Sequence, residues 1–198
     1  MIPDRLVLAT SNPGKVRELG ALVAEWGAVE VLSLAAFPNV GLPEETGSTY
    51  RQNAELKAVA VAGETGLPAL ADDSGLEVDA LDGAPGVASA RYAPSDAERI
   101  AKLLAALEGV TGPARAAAFR CAVVLAWPAG RVEAATGDCV GRIAVEQMGT
   151  QGFGYDAIFE PDELGRTLGT ATPAEKDRVS HRARAMRALG AQLERASG

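Results

Sequence analysis

Ala69-Leu70-Ala71-Asp72-Asp73-Ser74-Gly75-Leu76 carries two adjacent carboxylates at the end of an apolar run. Residues Leu67 to Ala71 read as a buried strand. Ser74 and Gly75 favour a turn, and Leu76-Glu77-Val78-Asp79-Ala80-Leu81 alternates as a new strand does. The stretch therefore predicts strand, turn, strand. Successive side chains of an extended chain point to opposite faces, so Asp72 and Asp73 are expected in different surroundings. One would point into a cleft and the other towards the turn or the interior. Carboxylates at the mouth of a strand suit a hard divalent cation. The same Asp-Asp-Ser-Gly also suits a plain turn, and the stretch alone leaves both readings open.

Upstream, Arg5 to Thr10 is a second buried-strand candidate running into Ser11-Asn12-Pro13-Gly14-Lys15. An amphipathic helix follows, with Val16, Leu19, Leu22, Val23 and Trp26 at helical spacing and Gly27 as its stop. Strand, small-residue turn and helix present backbone N–H groups and a positive helix end to a phosphate, and Lys15 adds a full charge. The other reading is a plain strand-to-helix connection with a solvated lysine. A Walker A loop is absent, since Val16 stands where Ser or Thr is required. Val29 to Leu34 reads as a strand, and Leu42-Pro43-Glu44-Glu45-Thr46-Gly47 as an acidic connection. Thr49-x-x-Gln52 forms a capping box for a helix running to about Ala62, on which Asn53 and Lys57 share one face.

Downstream, Asp82 to Tyr92 is rich in Gly and Pro and predicts a loop. Ser95-x-x-Glu98 caps an amphipathic helix ending at Gly109. Ala114–Trp127 and Arg131–Ile143 read as a β-hairpin around Pro128-Ala129-Gly130. In Gln151-Gly152-Phe153-Gly154-Tyr155-Asp156, glycines flank an aromatic residue. That pattern suits either close backbone approach to a flat nucleobase or a glycine bulge with a core aromatic. Thr172-Pro173-Ala174-Glu175 caps a last helix, expected to carry Lys176, Ser180, His181, Arg182 and Arg184.

The chain has 198 residues, 47% of them hydrophobic and 23% charged, which predicts one globular domain, 1–198, with room for two lobes. No apolar stretch approaches a membrane span and no signal-peptide pattern opens the chain, so no membrane is expected and the cytoplasm is the default. Cys121 and Cys139 lack metal-ligand spacing and are expected as reduced core residues; with a single histidine, a Cys/His zinc cluster is not expected. A net charge of −7 argues against a nucleic-acid polymer as partner. A small polyphosphate remains compatible, because local cations and a metal outweigh the global field.

Six stretches occur in register: Thr10-Ser11-Asn12-Pro13-Gly14-Lys15, Leu42 to Gly47, Ala71 to Leu76, Gly83-Ala84-Pro85-Gly86, Gly152 to Asp156 and Ser180-His181-Arg182. Together they resemble the non-canonical purine nucleoside triphosphate pyrophosphatases, the inosine/xanthosine triphosphatase family, from Leu6 to about Leu189. The resemblance implies an α/β fold, an elongated two-lobed single domain around a long twisted mixed β-sheet, with a substrate cleft between the lobes. It implies a homodimeric, Mg²⁺-dependent house-cleaning enzyme, Mn²⁺ substituting, that converts ITP, dITP and XTP to the monophosphate and pyrophosphate. Carried over by motif, Thr10, Ser11, Asn12, Pro13, Gly14 and Lys15 would hold the triphosphate, and Glu44 and Asp73 the metal. Asp73 would also accept the proton, and Ser74 would touch the substrate. Phe153, Gly154, Tyr155 and Asp156 would hold base and sugar, and Lys176, His181 and Arg182 would complete the base pocket. Pro13 departs from the pattern where the loop commonly varies.

An acidic protein needs a cation between itself and a triphosphate, and Mg²⁺ typically takes only one or two carboxylates from the protein. Hypoxanthine and xanthine carry an oxygen at C6 where adenine carries an amino group, so a donor such as Arg182 or protonated His181 would exclude ATP. Excluding GTP requires rejecting its 2-amino group, by a main-chain carbonyl or a tight wall. Two rivals remain open: a pyrophosphatase for pyrimidine or modified nucleotides, and a non-catalytic nucleotide-binding module. The paired acids argue against the module, because without a metal they would repel a polyphosphate.

Overall fold

The computed structural model describes residues 1–196; residues 197–198 of the expected domain range lie outside the described residues. Six strands form one mixed sheet in the order β2-β1-β3-β4-β5-β6. They are β1 (Arg5–Leu8), β2 (Glu30–Ser33), β3 (Ala69–Val78), β4 (Ala116–Ala126), β5 (Val132–Ile143) and β6 (Phe159–Pro161). The helices are α1 (Pro13–Val23), α2 (Tyr50–Thr65), α3 (Asp96–Ala106), α4 (Pro173–Val179) and α5 (His181–Arg195). β1 pairs in parallel with both β2 and β3, and β5 pairs antiparallel with β6.

The chain divides into two compact units. Unit 1 is Met1–Asp73, Cys121–Gly137 and Arg182 onward; unit 2 is Ser74–Arg120 and Asp138–His181. In unit 1 strand alternation builds two cores. Leu6, Leu8, Leu70, Cys121, Val123 and Leu125 pack with Leu19 and Leu22 of α1 and with Met186 and Leu189 of α5. Val7, Ala69, Ala71, Val124 and Ala126 pack with Ala54, Ala58, Val61 and Ala62 of α2. Small side chains let α2 lie close, and its buried stripe also contains Asn53 and Lys57. Unit 2 has its own core, in which Leu76, Val78, Phe119 and Ile143 pack with Ile100 and Leu103 of α3 and with Leu107 just after it. Burying each such leucine is worth roughly 1.5–3 kcal/mol.

Local signals behave as expected where their chemistry is local. Thr49, Ser95 and Thr172 each form a complete capping box, and the five-residue connection from Trp127 to Arg131 closes the hairpin through Trp127 N–H to Arg131 O at 2.8 Å. Three expectations need correction. Ser74 and Gly75 do not turn the chain: β3 runs straight through them as part of the six-stranded sheet, so sheet pairing overrides turn propensity. The loop after β3 contains 3-10 turns at Asp79–Leu81 and Gly86–Arg91. The last helix is two helices, because Ser180 is extended (φ −68°, ψ 148°) and ends α4 before α5 begins at His181.

Candidate active site

Asp72 and Asp73 therefore lie within a strand rather than at its mouth, and both are buried. Alternation sends them to opposite faces, Asp72 with Leu70 and Asp73 with Ala69 and Ala71. Asp72 meets cations from α1 and α5. Lys15 Nζ lies 3.0 Å from Oδ1, and Arg182 Nε and Nη2 each lie 2.9 Å from Oδ2. Arg182 Nη1 donates to Glu18. Burial alone would raise the Asp72 carboxyl, but the charges of Lys15, Arg182 and Lys57 reverse this and hold it well below the usual carboxylate range. Cys121 Sγ is 4.0 Å from Asp72 Oδ2, and burial pushes the thiol up to about 12, so it stays neutral.

Asp73 meets α2. Its Oδ2 accepts from Asn53 Nδ2 at 3.0 Å, and Lys57 Nζ lies 3.9 Å from Oδ1. Burial holds the Asp73 carboxyl above its ordinary value, outweighing Lys57, Lys15 and the Asn53 hydrogen bond, while Glu45 adds to the rise. Lys57 also donates to Glu45 Oε1 at 2.6 Å. Asn53 Oδ1 accepts from Gly47 N–H at 2.8 Å, so one buried amide fastens the acidic loop to Asp73. A Cβ at position 47 would sit 2.6 Å from that oxygen, which requires glycine there. Glu44 is exposed, whereas Glu45 is half-buried against Lys57.

The expected phosphate loop joins β1 to α1. Thr10 is buried and its Oγ1 accepts from Asn12 N–H at 3.2 Å. Asn12 caps α1, its Oδ1 accepting from Gly14 and Lys15 N–H at 2.8 and 3.2 Å. Those two amides, expected to be offered to a phosphate, are thus engaged by Asn12. Ser11, Asn12 and Pro13 are exposed, and Lys15 is half-buried with its ammonium at Asp72.

Unit 2 gathers the expected base-binding residues. Asp156 Oδ2 accepts from Phe153 N–H at 2.8 Å and from Lys176 Nζ, and the Lys176 ammonium stands 4.9 Å from the Phe153 ring centroid. Gly154 N–H donates to Asp96 at 2.8 Å. Tyr155 OH donates to Ser89 O at 3.0 Å, and burial raises the phenol's pKa. The His181 ring stacks face to face on Phe119 at 4.6 Å and 9°. Ser74, next to Asp73 in the chain, is half-buried. Arg182, expected in the base pocket, has its side chain 2% exposed and its guanidinium against Asp72 and Glu18 in unit 1.

Gly152 has φ +77°, and a Cβ there would lie 2.0 Å from Asp156 Oδ2. Gly154 has φ +63° with nothing near a Cβ. Gly154→Ala is expected to lose about 1–2 kcal/mol from left-handed backbone strain alone. Gly152→Ala is expected to lose more, because Asp156 must also leave Phe153 and Lys176. Thermal denaturation of the two variants side by side reads the difference.

Among the described residues no three His, Cys, Asp or Glu side chains converge as a metal cage. The donor chemistry nonetheless fits a hard divalent cation that takes one or two carboxylates from protein. Asp73 is a buried carboxylate whose charged form burial opposes, and Asn53 ties it to a loop bearing two more acids. Of the residues now visible here, Asn53 and Lys57 were detectable from their shared helical face. Glu18, Cys121 and Phe119 gave no sequence signal.

A family model for the Ham1 family matches residues 6–192. The dITP/XTP pyrophosphatase of Geobacillus kaustophilus is 48% identical over 196 residues, covering 98% of this chain and 96% of that protein. The dITP/XTP pyrophosphatase of Deinococcus deserti is 49% identical over 191 residues, covering 94% and 88%. Among solved structures, a HAM1 protein from Coxiella burnetii is similar with a TM-score of 0.85 at 41% identity, covering 96% of this chain and 98% of that chain. The Staphylococcus aureus Ham1 protein gives 0.83 at 38% identity, with the same coverage.

Proposed function

The chain belongs to the Ham1 family, and on that premise we propose that it hydrolyses non-canonical purine nucleoside triphosphates (ITP, dITP and XTP) to the monophosphate and pyrophosphate. The observation that carries this reading is the division of labour between adjacent acids. Asp72 is neutralised by Lys15 and Arg182, while burial raises Asp73 beside Asn53 and Lys57.

In this mechanism the Lys15 ammonium binds phosphate oxygens and stabilises the charge that develops on departing pyrophosphate. Asp73 orients the attacking water and accepts its proton. Its Oδ2 accepts from Asn53, which orients the carboxylate. Water adds to the α-phosphorus, the bond to the bridging oxygen breaks, and pyrophosphate leaves. Mg²⁺ is the proposed cofactor, supplying charge neutralisation and Lewis-acid polarisation when bound. Asp73 and Glu44 are its proposed holders, because Glu45 is engaged by Lys57.

The groups of unit 2 are assigned to the base. Phe153 offers a stacking face, and Lys176 and His181 are the donors proposed for the C6 oxygen. Arg182 serves through Asp72 instead. A homodimer is the proposed assembly, and Val140, Val145 and Met148 are large apolar side chains left exposed for a second copy. No helix among the described residues is long and apolar enough to cross a membrane. A cytoplasmic location, where a nucleotide pool needs cleansing, is proposed with the activity.

The test is a panel of ITP, dITP, XTP, ATP, GTP and pyrimidine triphosphates with Mg²⁺, scored for pyrophosphate against orthophosphate. Pyrophosphate from the first three and none after chelation is expected. Pyrimidine substrates turned over faster would favour the rival pyrophosphatase, and GTP matching ITP would contradict the proposed base pocket.

A further inference from the structure

We propose that Asp72 is the positioning residue for Lys15, holding the ammonium by a 3.0 Å ion pair where it meets the phosphate oxygens. The assignment deepens the reading above, in which Lys15 meets the triphosphate. Asp72 is fully buried, so it acts only through the groups that touch it. Those groups include Lys15 on Oδ1, Arg182 on Oδ2 and the neutral Cys121 thiol. The Lys15 side chain is 15% exposed, and its ammonium sits 3.0 Å from Asp72.

A lysine carries three donors on a flexible stem with wide rotamer freedom. A fixed acceptor removes that freedom before a ligand arrives. A lone carboxylate beside a polyphosphate would cancel the lysine and repel the ligand. Arg182 prevents this, because its charge offsets that of Asp72 while Glu18 holds its other branch. Two cations and two carboxylates balance, and Lys15 is the cation at the edge of the cluster. Asparagine cannot replace Asp72, since its amide has one acceptor and one donor end and must turn its NH₂ towards either Lys15 or Arg182.

The experiment is a cycle of Asp72→Asn, Lys15→Met and the double variant, assayed with ITP and Mg²⁺. Asp72→Asn is expected to lower kcat about a hundred-fold, as misplacement by an ångström does, with a smaller change in KM. In the Lys15→Met background it is expected to lower kcat no further. A full additional loss there would overturn the proposal, because Asp72 would then act apart from Lys15. A second readout needs no activity. The chain has four lysines, so acylation by acetic anhydride can be followed at each by mass spectrometry. Lys15 is expected to react several-fold faster in Asp72→Asn while Lys102 is unchanged; an unchanged Lys15 rate overturns the proposal even if ITP is not the substrate. Where Asp72→Asn does not fold, Asp72→Glu displaces the carboxylate by one methylene and carries both readouts.

Discussion

Asp73→Asn is expected to lower kcat for ITP about 10²–10⁴-fold through loss of the proton acceptor alone, and to raise the melting temperature of the metal-free protein. The two effects share one cause. Burial raises the Asp73 carboxyl in the fold, so the fold opposes its charged form. Above that raised value the ionised carboxylate costs stability, and below the ordinary aspartate pKa of about 3.9 the cost disappears. Asparagine removes the charge and keeps an acceptor for Asn53. At pH 7 with chelator the variant should therefore melt above the parent, each kcal/mol being worth roughly 2–4 °C in a chain of this size. The gap should close below about pH 4. Added Mg²⁺ should raise the parent's Tm and leave the variant's nearly unchanged. Calorimetry with and without Mg²⁺ checks both; retained turnover would remove Asp73 from the chemistry.

Arg182→Met is expected to be the most destabilising single change at the site. It takes the guanidinium from both buried Asp72 and Glu18. Breaking one side of a buried pair costs about 3–5 kcal/mol, or a fall in Tm of roughly 6–20 °C. The parent's folded Asp72 pKa is depressed, so its contribution is present above the ordinary carboxylate pKa and is lost as pH falls through the folded value. The difference between parent and variant should consequently narrow in acid, where protonation removes the buried charge. Denaturant titrations at pH 7 and at steps below pH 4 read this trend. A loss of ITP turnover with stability unchanged would instead return Arg182 to the base pocket.

Much of this protein is legible residue by residue. Capping boxes at Thr49, Ser95 and Thr172 depend on atoms three residues apart and form as their spacing predicts. The opposed faces of Asp72 and Asp73 follow from the period of a strand, whatever surrounds it. Asn53 and Lys57 meet Asp73 because four residues return a helix to the same side. Family motifs named the candidate groups, and family membership followed from their order along nearly the whole chain.

Other features depend on partners remote in sequence. Gly75 lies in a strand because β3 is paired into the sheet, although its local preference is to turn. Arg182 lies 110 residues from Asp72 and 164 from Glu18, so nothing near it announced that its guanidinium would be buried against carboxylates. The rise of the Asp73 carboxyl likewise required knowing what excludes water from it. The sequence by itself determined the elements, the alternation of the two acids and the class of chemistry, because those depend on spacing and residue type. Tertiary structure alone decided which acid is neutralised and which is strained, because burial and charge pairing are properties of surroundings that only the folded chain assembles.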